Sequence, residues 1–307
     1  MARKLRVEYA GAIYHAMNRG DRRERIFMDD ADRQRFVDTL GEACAKTGWQ
    51  VHAYVLMPNH FHLVVETPQP NLVAGMKWLL GTYTSRFNRR HKLFGHLFSG
   101  RYKSLIVDGS GSGYLKSVGD YVHLNPARAE LVAADAPLRS FAWSSWPAYL
   151  LACAKRPAWL RVDRLLGEWG MPEDNPAGRQ RFEQALEERR GAEEGEEFKP
   201  IWRGWCLGEE KFREELLTQM SERMGGEHYG PLAGGDDEDG GVDRRTSGDG
   251  HARLSEPSLY IAGESWAESN QYQELTPLRG LRPACGRRRR GRWGGSPNVW
   301  RWARAVI

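Results

Sequence analysis

The chain has 307 residues, a net charge of +5 and a sequence pI of about 9.0. That length allows one or two domains with a proper core, and the mild basicity suits a nucleic-acid partner. No stretch approaches the roughly 20 apolar residues of a membrane span, none of the four cysteines forms a C-x-x-C pair, and no GxxxxGK[ST] loop occurs, which argues against a spanning protein, a zinc knuckle and a P-loop nucleotidase.

In chain order, residues 11–19 (GAIYHAMNR) alternate as a first strand. Asp29 and Asp30 offer N-caps for a helix through about Lys46, with Phe36, Val37, Leu40 and Cys44 on one face and Gly48 as its stop. Residues 50–57 and 60–66 read as two strands joined by a tight turn at Pro58-Asn59. A second amphipathic helix fits 71–91, with Leu72, Met76, Leu79, Leu80, Tyr83 and Phe87 at steps of three and four. Residues 97–107 read as a fourth strand, and the Gly-Ser run 109–113 leads into a third helix over 114–132. The order β-α-β-β-α-β-α predicts an α+β fold, a ferredoxin-like sandwich with a central antiparallel sheet and one added helix. From about 140 to 225 the pattern is helical, with tryptophans at 143, 146, 159, 169, 202 and 205 for packing. After Gly225, acidic and basic runs without apolar periodicity predict a mostly disordered tail. The expected organisation is 1–135, a helical extension 136–225, and the tail 226–307.

The most informative stretch is PNHFHLVVE, residues 58–66. On a strand, side chains alternate faces, so His60 and His62 point one way while Phe61 points into the core. Two imidazoles roughly 7 Å apart, at a rise of ~3.3 Å per residue, can grip one divalent ion. Their second reading is a pair of half-buried sheet residues with backbone partners. In the helix YLKSVGDYVHLNPARAELV, Leu115, Val118 and Val122 form the buried stripe. Tyr121 and Asn125, four apart, share a neighbouring face. With that face over the histidine strand, two imidazoles and an amide oxygen surround an ion beside a phenol. Such a set suits phosphodiester cleavage, with Tyr121 as nucleophile and a metal drawing charge from a phosphate oxygen. The ligand types suit Mg²⁺ or Mn²⁺. Tyr121 also reads as a core tyrosine, and Asn125 as a helix terminator before Pro126. Tyr114, seven residues earlier, is a competing nucleophile, with no Asn partner and a place beside the Gly-Ser loop.

These residues resemble a known family, the single-tyrosine transposases of the HUH endonuclease superfamily. That family includes the insertion-sequence-200-like enzymes and the REP-associated tyrosine transposases. The likeness rests on GAIYHAMNRGDRRERIF, MPNHFHLVVE, GRYKS, DYVHLNPARAELV and FAWSSWPAYL, closely over 1–150 and loosely to about 220. It implies metal-dependent cleavage and joining of single-stranded, hairpin-containing DNA through a 5′-phosphotyrosine. It implies Tyr121 as nucleophile and His60, His62 and Asn125 as metal ligands. It implies a homodimer or a monomer, acting in the cytoplasm at the nucleoid. A non-catalytic, domesticated DNA-binding regulator is the alternative. A relaxase or replication initiator is a third reading, weakened by the lack of a second tyrosine four residues from Tyr121. For holding DNA the sequence offers Arg22, Arg23 and Arg25 after the first strand, Arg86, Arg89, Arg90 and Lys92 at the end of the second helix, and Arg101 and Lys103 entering the fourth strand. Tyr14, Trp49 and Tyr102 are the candidate base-stacking aromatics.

Overall fold

A computed structural model describes residues 6–171, 173–192, 198, 200–201 and 204–224. The tail 226–307, with its expected disorder and basic cluster, lies outside the described residues, as does Trp202.

Asp29 begins α1 (Asp30–Thr47) by accepting from the Asp32 amide, which fills one of the open donors of the first turn. Gly48 ends it in the left-handed conformation. Phe36, Leu40 and Cys44 are buried as expected, whereas Val37 stands half-exposed at the edge of that face. The strands are β1 (Ala12–Arg19), β2 (Gln50–Met57), β3 (His60–Thr67) and β4 (Lys103–Val107). The second helix, α2, spans Leu72–His91. Antiparallel pairing gives the order β2-β3-β1-β4, the sandwich that the element order predicts.

A fifth strand, β5 (Cys206–Leu207), adds to β4 in parallel, so the sheet is mixed and the segment expected to be helical contributes a strand. That segment is also less helical than its pattern suggests. It contains α4 (Trp146–Tyr149), α5 (Asp163–Glu168) and α6 (Pro176–Ala192), with loops between them. The segments before and after α4 cover the other sheet edge: the Leu56 amide donates to the Trp143 carbonyl at 2.8 Å and the Arg161 amide to the Val51 carbonyl at 2.8 Å. Both edges are thereby occupied, which blocks edge-to-edge association. Of the expected tryptophan anchors, Trp146 is fully buried, while Trp143, Trp159, Trp169 and Trp205 are half-buried. The described residues up to Leu207 form one compact unit. A helix at Glu210–Met224 belongs to a second unit.

On one face of the sheet, α1 and α2 bury a cluster of aromatic rings, Phe27, Phe36, Phe61 and Tyr83. The opposite face carries α3 (Tyr114–Arg128) across β2 and β3. The helix ends four residues before the expected Val132. It nevertheless passes through Pro126, so Asn125 is not its terminator. The fourth strand is shorter than expected as well. Residues 97–99 bend away from β4 to pair with the end of β1, through Gly20 and Phe98.

Candidate active site

Period-two alternation on β3 sends His60 and His62 to the α3 face and Phe61 into the aromatic cluster. The two imidazole centroids are 5.1 Å apart at 86°, so the rings converge from backbone positions further apart. The sheet register places Met17 opposite His62 and Arg19 opposite His60.

Each histidine has its Nδ1 engaged. His60 Nδ1 donates to Asn59 Oδ1 at 2.7 Å, which leaves Nε2 as the lone-pair nitrogen. His62 Nδ1 lies 2.9 Å from Nε2 of His15. Burial, with the nearby Arg19 charge, pushes the His60 pKa down to about 3. Burial first, then the charges around it including Arg19 and Arg128, holds His62 well below its usual value. Neutral imidazoles are the form that coordinates cations.

Tyr121 arrives from α3. Its ring meets His62 edge-on at 5.3 Å and His15 at 5.7 Å, and Tyr121 is 6% exposed. The ring of Phe198 lies 5.4 Å from it, and the Arg128 guanidinium carbon 5.2 Å from the ring centre. Asn125 follows one turn later on the same helix, nearly buried. Tyr114, at the first position of the helix, is half-exposed. Among the described residues no group of three or more His, Cys, Asp or Glu side chains could hold a metal. A cation on His60 and His62 would therefore take its next protein ligand from another residue type, and the Asn125 amide has the right chemistry.

What holds α3 in this phase is largely its outer side. Gly113, at φ 85°, makes the left-handed step into the helix, and Glu168 of α5 accepts from the Lys116 amide at 2.7 Å. Trp169 Nε1 donates to Asp120 Oδ1 at 3.0 Å, and Arg189 of α6 pairs with Asp120 at 3.2 Å. Gly109, in the same Gly-Ser run, packs so closely that an added Cβ would lie 2.6 Å from Ile13.

The turn before β3 ties the histidines to a basic rim. Asn59 Nδ2 donates to the Arg23 carbonyl, and the Gly20 amide to the Asn59 carbonyl at 2.8 Å. Arg22 and Arg23 hold left-handed backbone at φ 50° and 63°, a conformation costly for side-chain-bearing residues and common at functional loops. Arg22, Arg23, Arg25, Arg89 and Arg101 are exposed, and Lys103 is half-exposed. Arg86 and Arg90 are differently employed. Arg86 donates to both oxygens of Glu42, and Arg90 to both oxygens of Asp29 and to the fully buried Asp32.

The expected stacking aromatics are a clear correction. Tyr14, Trp49 and Tyr102 are 1%, 2% and 8% exposed and belong to the core, so none can receive a base. Among the described residues the exposed aromatic is Phe94, at 98%, in the turn after α2. Sequence reasoning also passed over His15, Arg19 and Arg128. Arg128 was within reach, since it stands two helical turns after Tyr121 and so on the same side. His15 and Arg19 depend on the β1–β3 register, which no local pattern contains.

Residues 8–125 match the family model described as "Transposase IS200 like". No curated protein matches the chain. Two solved structures are similar in part. One is a REP-associated tyrosine transposase bound to a REP hairpin (14% identity, 48% of this chain and 84% of that chain, TM-score 0.40). The other is a protein from Deinococcus radiodurans R1 described as a transposase (21% identity, 39% and 95%, TM-score 0.29). The family match covers less than half of the chain, the segment that holds β1, the histidine strand β3 and α3 as far as Asn125.

Proposed function

We propose that the protein cleaves and rejoins single-stranded, hairpin-containing DNA, with residues 1–135 as the catalytic domain and Tyr121 as its nucleophile. The observation that carries this is the edge-on contact of the Tyr121 ring with His62 at 5.3 Å, because it joins a phenol from a late helix to a histidine pair on the sheet. In cleavage the Tyr121 oxygen attacks phosphorus and loses its proton. The bond from phosphorus to the 3′-oxygen breaks, and that oxygen leaves as a 3′-hydroxyl once protonated. In rejoining, a 3′-hydroxyl attacks the same phosphorus and the bond to Tyr121 breaks. The phosphodiester energy is conserved, so no nucleotide cofactor is required.

The histidines fit a divalent cation, Mg²⁺ or Mn²⁺. Both are neutral, and the Nδ1 of His60 donates to Asn59, which puts the lone pair of that ring on Nε2. His60, His62 and Asn125 would hold it. When bound, it supplies Lewis-acid polarisation of a phosphate oxygen. Arg19 and Arg128, whose charges are felt at His62, favour a phosphate in the same place. Arg22, Arg23, Arg25, Arg89, Arg101 and Lys103 would neutralise flanking phosphates, and Phe94 would stack on an unpaired base.

The test is incubation of the full chain with end-labelled single-stranded hairpin DNA and Mn²⁺, followed by a denaturing gel. Wild type should retain label as a covalent adduct. Tyr121→Phe should bind the hairpin and retain none. An adduct that persists in Tyr121→Phe removes Tyr121 from the role. Hairpin binding with no adduct in wild type points instead to the non-catalytic DNA-binding regulator.

A further inference from the structure

His15 sits in the middle of β1 with none of its surface exposed. Its ring lies nearly coplanar with that of His62, centroids 5.1 Å apart at 20°, and the two meet edge to edge, Nε2 of His15 2.9 Å from Nδ1 of His62. Its other nitrogen, Nδ1, is buried with no hydrogen-bond partner. An apolar ring of similar size would fill this space but leave His62 Nδ1 without a partner, so what the imidazole supplies beyond packing is that hydrogen bond.

The His15–His62 hydrogen bond has a direction. Two neutral imidazoles can share it in two ways. If His15 Nε2–H donates, His62 carries its own proton on Nε2 and has no lone pair to offer there. If His62 Nδ1–H donates, His62 Nε2 is a free lone pair and the His15 proton moves to its Nδ1. Only the second arrangement makes His62 a ligand through Nε2. His60 is already arranged in this way, with Asn59 as the acceptor for its Nδ1. We infer that His15 is a positioning residue: by accepting from His62 Nδ1 in the plane of the ring, it fixes the His62 tautomer and orientation that a divalent cation needs. The inference rests on the reading of His60 and His62 as cation ligands. Partners of this kind both aim a ligating ring and raise its basicity.

The test uses the full-length protein and Mn²⁺ alone, with affinity measured by calorimetry and the His62 tautomer read from ¹⁵N NMR of the metal-free protein. Wild type should show the Nδ1–H tautomer at His62 and bind Mn²⁺. His15→Phe keeps an aromatic ring in the same space but removes the acceptor. It should weaken Mn²⁺ binding by about 10–100-fold and bring Nε2–H into the His62 spectrum. His15→Gln, whose amide oxygen can accept, should recover most of the affinity. A merely structural role for His15 would change melting temperature without this pattern of rescue. Unchanged Mn²⁺ affinity in His15→Phe, or an Nε2–H tautomer at His62 in wild type, overturns the inference. If wild type binds no Mn²⁺, or His62→Ala binds it equally well, the cation reading itself fails; the wild-type tautomer still decides the case of His15, and the same measurement stands should His15→Phe not fold.

Discussion

At the scale of single residues, the arginines divide by what they already touch. Arg86 and Arg90 spend their donors on Glu42, Asp29 and Asp32, and the Arg90 contact pulls the Asp29 carboxyl down to about 2. Arg25 and Arg89 are exposed, with no ion pair among the described residues. Arg25→Ala or Arg89→Ala should therefore each reduce the slope of log affinity against log salt for single-stranded DNA by about 0.7, measured by fluorescence anisotropy. Arg86→Ala should leave the slope alone and cost at most about 1 kcal/mol of stability, as a partly exposed pair does. A larger change of slope from Arg86 than from Arg89 would reverse this division. Phe94→Ala should weaken single-strand binding by about 1–3 kcal/mol with an unchanged melting temperature. Sequence reasoning could name these side chains as charged or aromatic. It could not say which were spent, because Glu42 and Arg86 lie on different helices that meet only in the fold.

At the scale of elements, the decisive piece is α3. Its tyrosine helix was legible from the apolar stripe Leu115, Val118 and Val122, all fully buried. The reason that Tyr121 turns inward was not legible. The fixing contacts come from the far side, through Glu168, Trp169 and Arg189 of the extension. Asp120 is the hub of that side, fully buried between the Trp169 indole and Arg189. Asp120→Ala strips an acceptor from a packed indole and should destabilise the protein by about 1–3 kcal/mol, read by chemical denaturation. It should also reduce adduct formation without touching DNA or cation. Full adduct yield at full stability would show that the extension does not set the helix.

At the scale of the whole molecule, acid should be the weak point. Glu66 lies where the extension meets the sheet, accepting from His52, Arg161 and Arg164. Burial opposes its charge, but His52 and Arg164 hold it down to about 2, below its unfolded value. A carboxylate depressed in this way stabilises fully above its unfolded pKa and loses that contribution as pH falls toward the folded one. His15 and His123 are buried and held down to about 3. Below about pH 6.5 the unfolded chain takes up protons that these rings refuse, so stability falls there too. Melting temperature should stay level from neutral to mildly alkaline pH and decline steadily from about 6.5 downward. A flat profile down to pH 5 would contradict the neutral burial of the rings.

What the sequence determined by itself was whatever depends on short-range periodicity and end signals. Alternation put His60 and His62 on one face of β3, Asp29 and Gly48 bounded α1, and the order of elements dictated the antiparallel core. The tertiary structure alone decided how distant segments meet. It set His15 against His62, sank Tyr14, Trp49 and Tyr102 into the core, and brought β5 to β4. The physical reason is that strand register and helix docking are fixed by burial summed over many side chains far apart in the chain, while local patterns record only which side of an element each residue occupies.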